Sequence, residues 1–240
     1  MQSNPHISKA FDRDLEAIQA MIMKMGGLVE AAIDDATVAL TQGDAELAAR
    51  TRRGDKAIDR MEQQVNEEAA RVIALRQPIA SDLRTVLTVF RISAALERIG
   101  DYAKNMAKRT EILIELHPVD GGAASLHRMS KAVRAMLNDA LDAYIQRDVA
   151  LAEDVRARDE EVDHMYNGLF REYLTYMMED PRSITACMHL HFMAKNIERM
   201  GDLVTGVAEQ VIYLVTGELP DEERSKADRT STAAGGMVEG

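Results

Sequence analysis

The sequence predicts an all-α protein: two tandem three-helix bundles related by internal duplication. Three observations carry this prediction. Apolar residues recur at helical spacing over stretches of roughly 30 residues, each equivalent to about 50 Å of helix. Turn signals punctuate those stretches at Gly43, Pro78, Pro118, Gly121-Gly122 and Pro181. Two pairs of segments repeat at fixed shifts. Composition agrees, since Met, Ala, Leu, Glu and Arg abound while aromatics make up 4% of the chain, a balance that favours helices over strands.

The first helix starts at Ser8, read as its N-cap, and carries a stripe of Phe11, Leu15, Ile18, Ile22, Met25, Val29 and Ile33. Met21, Met23 and Met25 are read as core filling. The helix stops at Gln42-Gly43-Asp44, where glycine closes one helix and aspartate caps the next. The second helix places Leu47, Ile58, Met61, Val65, Ala69 and Val72 on one side and ends before Pro78. The third opens at Ser81-Asp82-Leu83-Arg84 and continues through Val89, Leu96, Ile99 and Met106 toward His117-Pro118. After Gly121-Gly122 the pattern resumes with Leu126, Met129, Val133, Leu137 and Leu141. The predicted units are residues 8–118, residues 122–217 and a disordered, polar C-terminal tail over 218–240.

The duplication is direct. Gln42 to Asp59 matches Gln146 to Asp163 at a shift of 104, and Leu96 to Lys108 matches Ile197 to Glu209 at a shift of 101. The second hairpin departs from the first: MEDPRSITAC stands where the first has RQPIASDLR, leaving Asp82 and Arg84 without twins.

A formal charge of −11 argues against nucleic acid as a partner, because phosphate backbones need a basic footprint. The N-terminal segment is charged through its first helix and holds no signal-peptide core, and no run approaches the roughly 20 apolar residues of a membrane span. The single cysteine, Cys187, has no partner for a disulfide or a redox motif. These features predict a cytoplasmic protein without membrane insertion.

Each repeat presents two acidic pairs at i, i+4: Asp55 with Asp59 and Glu97 with Asp101, then Asp159 with Asp163 and Glu198 with Asp202. Asp59 and Glu97 lie 19 residues on either side of Pro78, and Asp55 and Asp101 lie 23. Around Pro181 the separations are 18 and 17 for Asp163 and Glu198, and 22 and 21 for Asp159 and Asp202. Residues equally far from the turn of an antiparallel hairpin sit at one height, so four carboxylates are expected to converge in each bundle. They would repel unless a cation neutralised them, and oxygen-only ligation suits hard ions such as Mg²⁺, Mn²⁺, Ca²⁺ or ferric iron.

Two plainer readings stand beside this one. The acids could be an ordinary solvated face, or Glu97 and Asp101 could form ion pairs with Lys104, Lys108 or Arg98. Lys104 and Lys108 match Thr205 and Glu209 in the other half, so that network is not duplicated, whereas the acids are. Gly100 and Gly201 stand where di-iron bundles carry histidine, which disfavours redox catalysis. Helix-interior glycines cost about 1 kcal/mol each relative to alanine, and point to a close helix approach or to space beside the acids. His164, His189 and His191 have no twins in the first half and are weak candidates as ligands. No Walker loop, zinc-protease or nucleophile-elbow motif occurs. The chain therefore reads as a non-enzyme, with a carboxylate-bridged metalloenzyme of hydrolase or oxidase type as the alternative.

The segments LERIGDYAKNMAKR and NIERMGDLVTGVAE, with RQPIASDLR opening the third helix and YLVTGE closing the sixth, resemble the PhoU family of phosphate-transport accessory and regulatory proteins. The likeness covers essentially Ser8 to Glu218. It implies two three-helix bundles and an acidic metal-binding signature that falls on Asp55, Asp59, Glu97, Asp101, Asp159, Asp163, Glu198 and Asp202, for divalent or trivalent ions (Mg, Mn, Fe or Zn). It further implies a phosphate-signalling adaptor that negatively regulates the phosphate-starvation response and modulates phosphate uptake. Its implied partners are the ATPase subunit of the phosphate ABC transporter, a PhoR-type sensor kinase and a second copy of itself in a homodimer.

Overall fold

The computed structural model describes residues 5–119 and 121–220. Six long helices follow one another: α1 (Pro5–Gln42), α2 (Ala45–Arg76), α3 (Ser81–Leu113), α4 (Gly122–Gln146), α5 (Val149–Glu179) and α6 (Ile184–Thr216). A 3₁₀ turn at Pro181–Ser183 leads into α6, and the described residues contain no strand. α1, α2 and α3 pack on one another, as do α4, α5 and α6. The two groups meet along α3 with α6 and α1 with α4, and one continuous apolar core runs through all six helices.

Two boundaries differ from the sequence reading. α1 is already helical at Pro5, upstream of Ser8, because the fixed φ of proline suits a helical first turn. α3 ends at Leu113, short of His117, and the chain closes through turns in which Glu115 N–H donates to Ile112 O and Leu116 N–H to Leu113 O. Of the predicted tail, residues 221–240 lie outside the described residues.

The duplication is visible in the helix starts. Asp44 accepts a hydrogen bond from Leu47 N–H at 2.8 Å and Asp148 accepts one from Leu151 N–H at 3.1 Å. Each cap satisfies a backbone donor that the helix itself cannot. Asp44→Ala and Asp148→Ala are each expected to lose about 1 kcal/mol in denaturant unfolding, with the asparagine variants staying near wild type. The hairpin turns are not duplicated. Gln77 and Ala80 take positive φ (48° and 49°) between α2 and α3, whereas the α5–α6 turn has no positive φ and is instead capped by Asp180, which accepts from Arg182 N–H.

Arg84, which has no twin, ties the start of α3 to the end of α6. Its guanidinium donates to Tyr213 O at 3.5 Å and lies 5.6 Å from the centre of the Tyr213 ring. Gly217 ends α6 at φ 87°, and a Cβ there would fall 2.6 Å from Arg84 Nη1. That position needs glycine for its backbone conformation, and a larger residue would also displace the Arg84 guanidinium.

Candidate carboxylate site

In the first bundle α2 contributes Asp55 and Asp59, and α3 contributes Glu97 and Asp101. Asp55 points inward and is 6% exposed, while the other three are half-buried. Lys104, one turn beyond Asp101, reaches between the helices: its ammonium donates to Asp55 Oδ2 at 2.6 Å and to Asp101 Oδ1 at 2.5 Å. The equal spacing of Asp55 and Asp101 about Pro78 is thus realised as a contact through one shared cation.

Glu97 and Asp55 each feel the charges of the other acids in the first set. Burial pushes the Glu97 carboxyl above the ordinary glutamate range, and the charges of Asp101, Glu62, Asp59 and Asp55 push it further. Burial also raises Asp55, against the opposing pull of Lys104, with Asp59 and Asp101 adding to the rise. For Lys104, burial acts to lower the pKa, but its hydrogen bonds to Asp101 and Asp55 outweigh that and hold it above the usual lysine range. Lys104 thus joins Asp55 and Asp101, while Asp59 and Glu97 act on them through their charge. Glu62 joins the acids unannounced by the duplication, since Tyr166 holds the matching position.

In the second bundle α5 carries Asp159 and Asp163, and α6 carries Glu198 and Asp202. Asp159, Asp163 and Glu198 are all buried, so this set is drier than the first. Lys195 supplies a cation from another position, donating to Glu198 Oε1 at 2.8 Å while its ammonium lies 4.9 Å from the centre of the Tyr166 ring. Thr205, the counterpart of Lys104, spends its hydroxyl on Gly201 O of its own helix at 2.9 Å.

The two glycines mark close approaches. A Cβ on Gly100 would stand 2.8 Å from Ile58 Cδ1, and one on Gly201 would stand 3.1 Å from Asp159 Oδ1. Glycine at 201 therefore leaves room for a buried carboxylate beside α6.

Two of the three histidines are engaged elsewhere. His164 Nδ1 lies 2.6 Å from Glu160 O and His189 Nδ1 lies 3.3 Å from Arg109 Nη1. His191 stands beside the second acidic set, packed among Tyr166, Phe170 and Phe192 with its Nδ1 buried and without a hydrogen-bond partner among the described residues, and burial, then Lys195, pulls its pKa down.

By charge and by oxygen-only chemistry the acids suit a hard cation. As the side chains stand, no group of three or more His, Cys, Asp or Glu among the described residues is disposed to hold one ion. In the first bundle Lys104 stands between two of the would-be ligands.

Comparison with known proteins places this geometry in context. The PhoU domain model matches residues 22–110 and again 126–211. A phosphate-specific transport system accessory protein PhoU homolog from Caulobacter vibrioides is 44% identical over 223 residues, 93% of this chain and 97% of the relative. The homolog of the same name from Rhizobium meliloti is 45% identical over 230 residues, 96% of this chain and 97% of its own. The crystal structure of PhoU from Pseudomonas aeruginosa superposes with a TM-score of 0.84 at 39% identity, covering 87% of this chain and all of that one. The phosphate transport system regulatory protein PhoU from Streptococcus pneumoniae gives 0.82 at 31% identity, over 88% and 99% of the two chains.

Proposed function

The chain belongs to the PhoU family, and from that premise we propose that it is a non-catalytic accessory protein of phosphate transport, acting as a phosphate-signalling adaptor. It restrains the phosphate-starvation response and modulates uptake by touching the ATPase subunit of the phosphate ABC transporter and a PhoR-type sensor kinase. It works in the cytoplasm, as a homodimer. Among the described residues no helix is long and apolar enough to cross a membrane, which fits a partner that meets the transporter from outside the bilayer.

The observation that carries this reading is the reach of the likeness: both halves match the family model, and relatives named as accessory proteins are covered almost end to end. The experiment is deletion of its gene in the source cell. Phosphate-starvation transcripts should then persist in high phosphate and fall again on complementation. Transcripts that remain repressed after deletion would count decisively against the proposal.

The eight carboxylates are, in this reading, metal-holding groups that neutralise the bundle seams and shape the surface shown to partners. Elemental analysis of chelator-free protein should find metal that is absent from a variant with Glu97 and Glu198 changed to Gln and Asp101 and Asp202 changed to Asn. A thermal readout accompanies it. Because the Glu97 carboxyl sits above its ordinary value, the native state holds its proton more tightly than the unfolded chain, so this group costs stability as pH rises through that raised value. Glu97→Gln should therefore raise the melting temperature of metal-free protein at neutral pH, with the gain vanishing as pH falls toward the ordinary glutamate range. Added Mn²⁺ should raise the wild-type melting temperature and leave the variant's in place.

A further inference from the structure

Where the two bundles meet along α1 and α4 there is a cleft of about 200 Å³, lined by Ile33, Asp34 and Thr37 from α1 and by His127, Ser130, Lys131 and Arg134 from α4. The α4 residues stand at i, i+3, i+4 and i+7, so they occupy one helix face beside the cleft. In a chain of net charge −11, that face gathers a lysine, an arginine and a histidine.

The cleft also holds a buried hydroxyl that nothing in the protein satisfies. Ser130 is 3% exposed and its Oγ has no hydrogen-bond partner. A buried polar group left in this state calls for a ligand or a water to complete it. Thr37 cannot complete it by donation, because its hydroxyl already donates to Ile33 O at 2.7 Å. Arg134 spends Nη1 on Asp34, the single carboxylate of the lining, which leaves the rest of its donor fork uncommitted in the described structure. Lys131 is exposed at the edge of the cleft. Asp34 is thereby paired with Arg134, whose charge also acts on Glu30 one turn earlier on α1, and the positive charge left over on the lining is that of Lys131.

We propose that this cleft binds a small tetrahedral oxyanion of the phosphate class, either the free ion or the terminal group of a phosphomonoester. Ser130 donates its hydroxyl, Lys131 and Arg134 supply charge-assisted donors, and His127 closes the outer edge. A guanidinium fork, an ammonium and a hydroxyl together suit an anion with several acceptor oxygens better than a monatomic one. Because the lining is split between α1 and α4, occupancy would brace one bundle against the other. The proposal stands on this lining alone and is independent of the partners named above.

Calorimetric titration of the full chain with inorganic phosphate, and separately with AMP, tests it. Saturable binding of phosphate alone marks a site closed around the free ion, whereas binding of both marks one that accepts a terminal phosphate. Ser130→Ala and Lys131→Gln should each weaken binding by about tenfold, the worth of one charge-assisted hydrogen bond. Asp34→Asn should tighten it, since it removes the carboxylate of the lining and releases Arg134 Nη1, with Glu30 remaining as the acid in the field of Arg134. A structural role for these residues would not produce that opposite pair of changes. Absence of saturable binding of either probe, or binding unchanged in Lys131→Gln, an exposed position where folding is not at stake, would overturn the proposal.

Discussion

Gly26→Val should unfold about 2 kcal/mol more readily than the wild-type protein, seen as a lower denaturant midpoint at unchanged slope. Gly26 lies on α1 where that helix meets α4, and a Cβ placed there would run into Leu141 Cδ1. Leu141 is itself fully buried in the continuous core, so its side chain has no solvent into which to swing. Overpacking of this kind costs about 1–3 kcal/mol, and a β-branched side chain adds crowding within its own helix. The backbone entropy recovered on removing a helical glycine, about 1 kcal/mol, offsets only part of it. Gly27 supplies the control one residue away. No atom lies within 4 Å of a Cβ at that position, so Gly27→Ala should stabilise the protein by up to about 1 kcal/mol. If both variants moved in the same direction, the close approach of α1 to α4 would not be what holds Gly26.

The contrast between neighbouring glycines shows what a single sequence can and cannot carry. Hairpin geometry leaves a trace, because equal distances from Pro78 put Asp55 opposite Asp101 and the structure joins them through Lys104. Capping leaves a trace too, in the aspartates at 44 and 148 that open α2 and α5. Contacts between the bundles leave none: nothing in the spacing of Gly26 or Arg84 announces Leu141 or Tyr213, since those pairings arise only when two amphipathic surfaces are laid together. Helix ends were legible to within a few residues, and α3 stops early because tight turns after Leu113 satisfy its last carbonyls. The acids were legible as a set because duplication repeats them. The cations that answer them were not, because Lys104 and Lys195 occupy unrelated positions in the two halves. Burial divides the acids further, leaving the first set half in solvent and most of the second inside.

Replacing that first cation gives the other large effect. Lys104→Met should cost about 2 kcal/mol at neutral pH, because it leaves the carboxylate of Asp55 buried with no ammonium opposite it. The loss should fall short of the 3–5 kcal/mol typical of fully buried pairs, since Lys104 and Asp101 are 36% and 43% exposed and solvent screens part of the interaction. Its pH dependence has a definite sign. Asp55 is already raised by burial with Lys104 present, and removing the lysine raises it further. The native carboxyl then takes up a proton more readily than the unfolded one, so the deficit is greatest above the raised value and shrinks as pH falls toward the ordinary aspartate range. Lys104→Thr goes one step further, since threonine is what the second bundle carries at this position. If the proposed metal role holds, Asp55, Asp59, Glu97 and Asp101 accept a divalent ion more readily with the ammonium gone, and Mn²⁺ should restore more stability to this variant than it adds to the wild-type protein. Recovery on lowering pH but not on adding Mn²⁺ would mean that the first carboxylate set is built around its lysine and not around a metal.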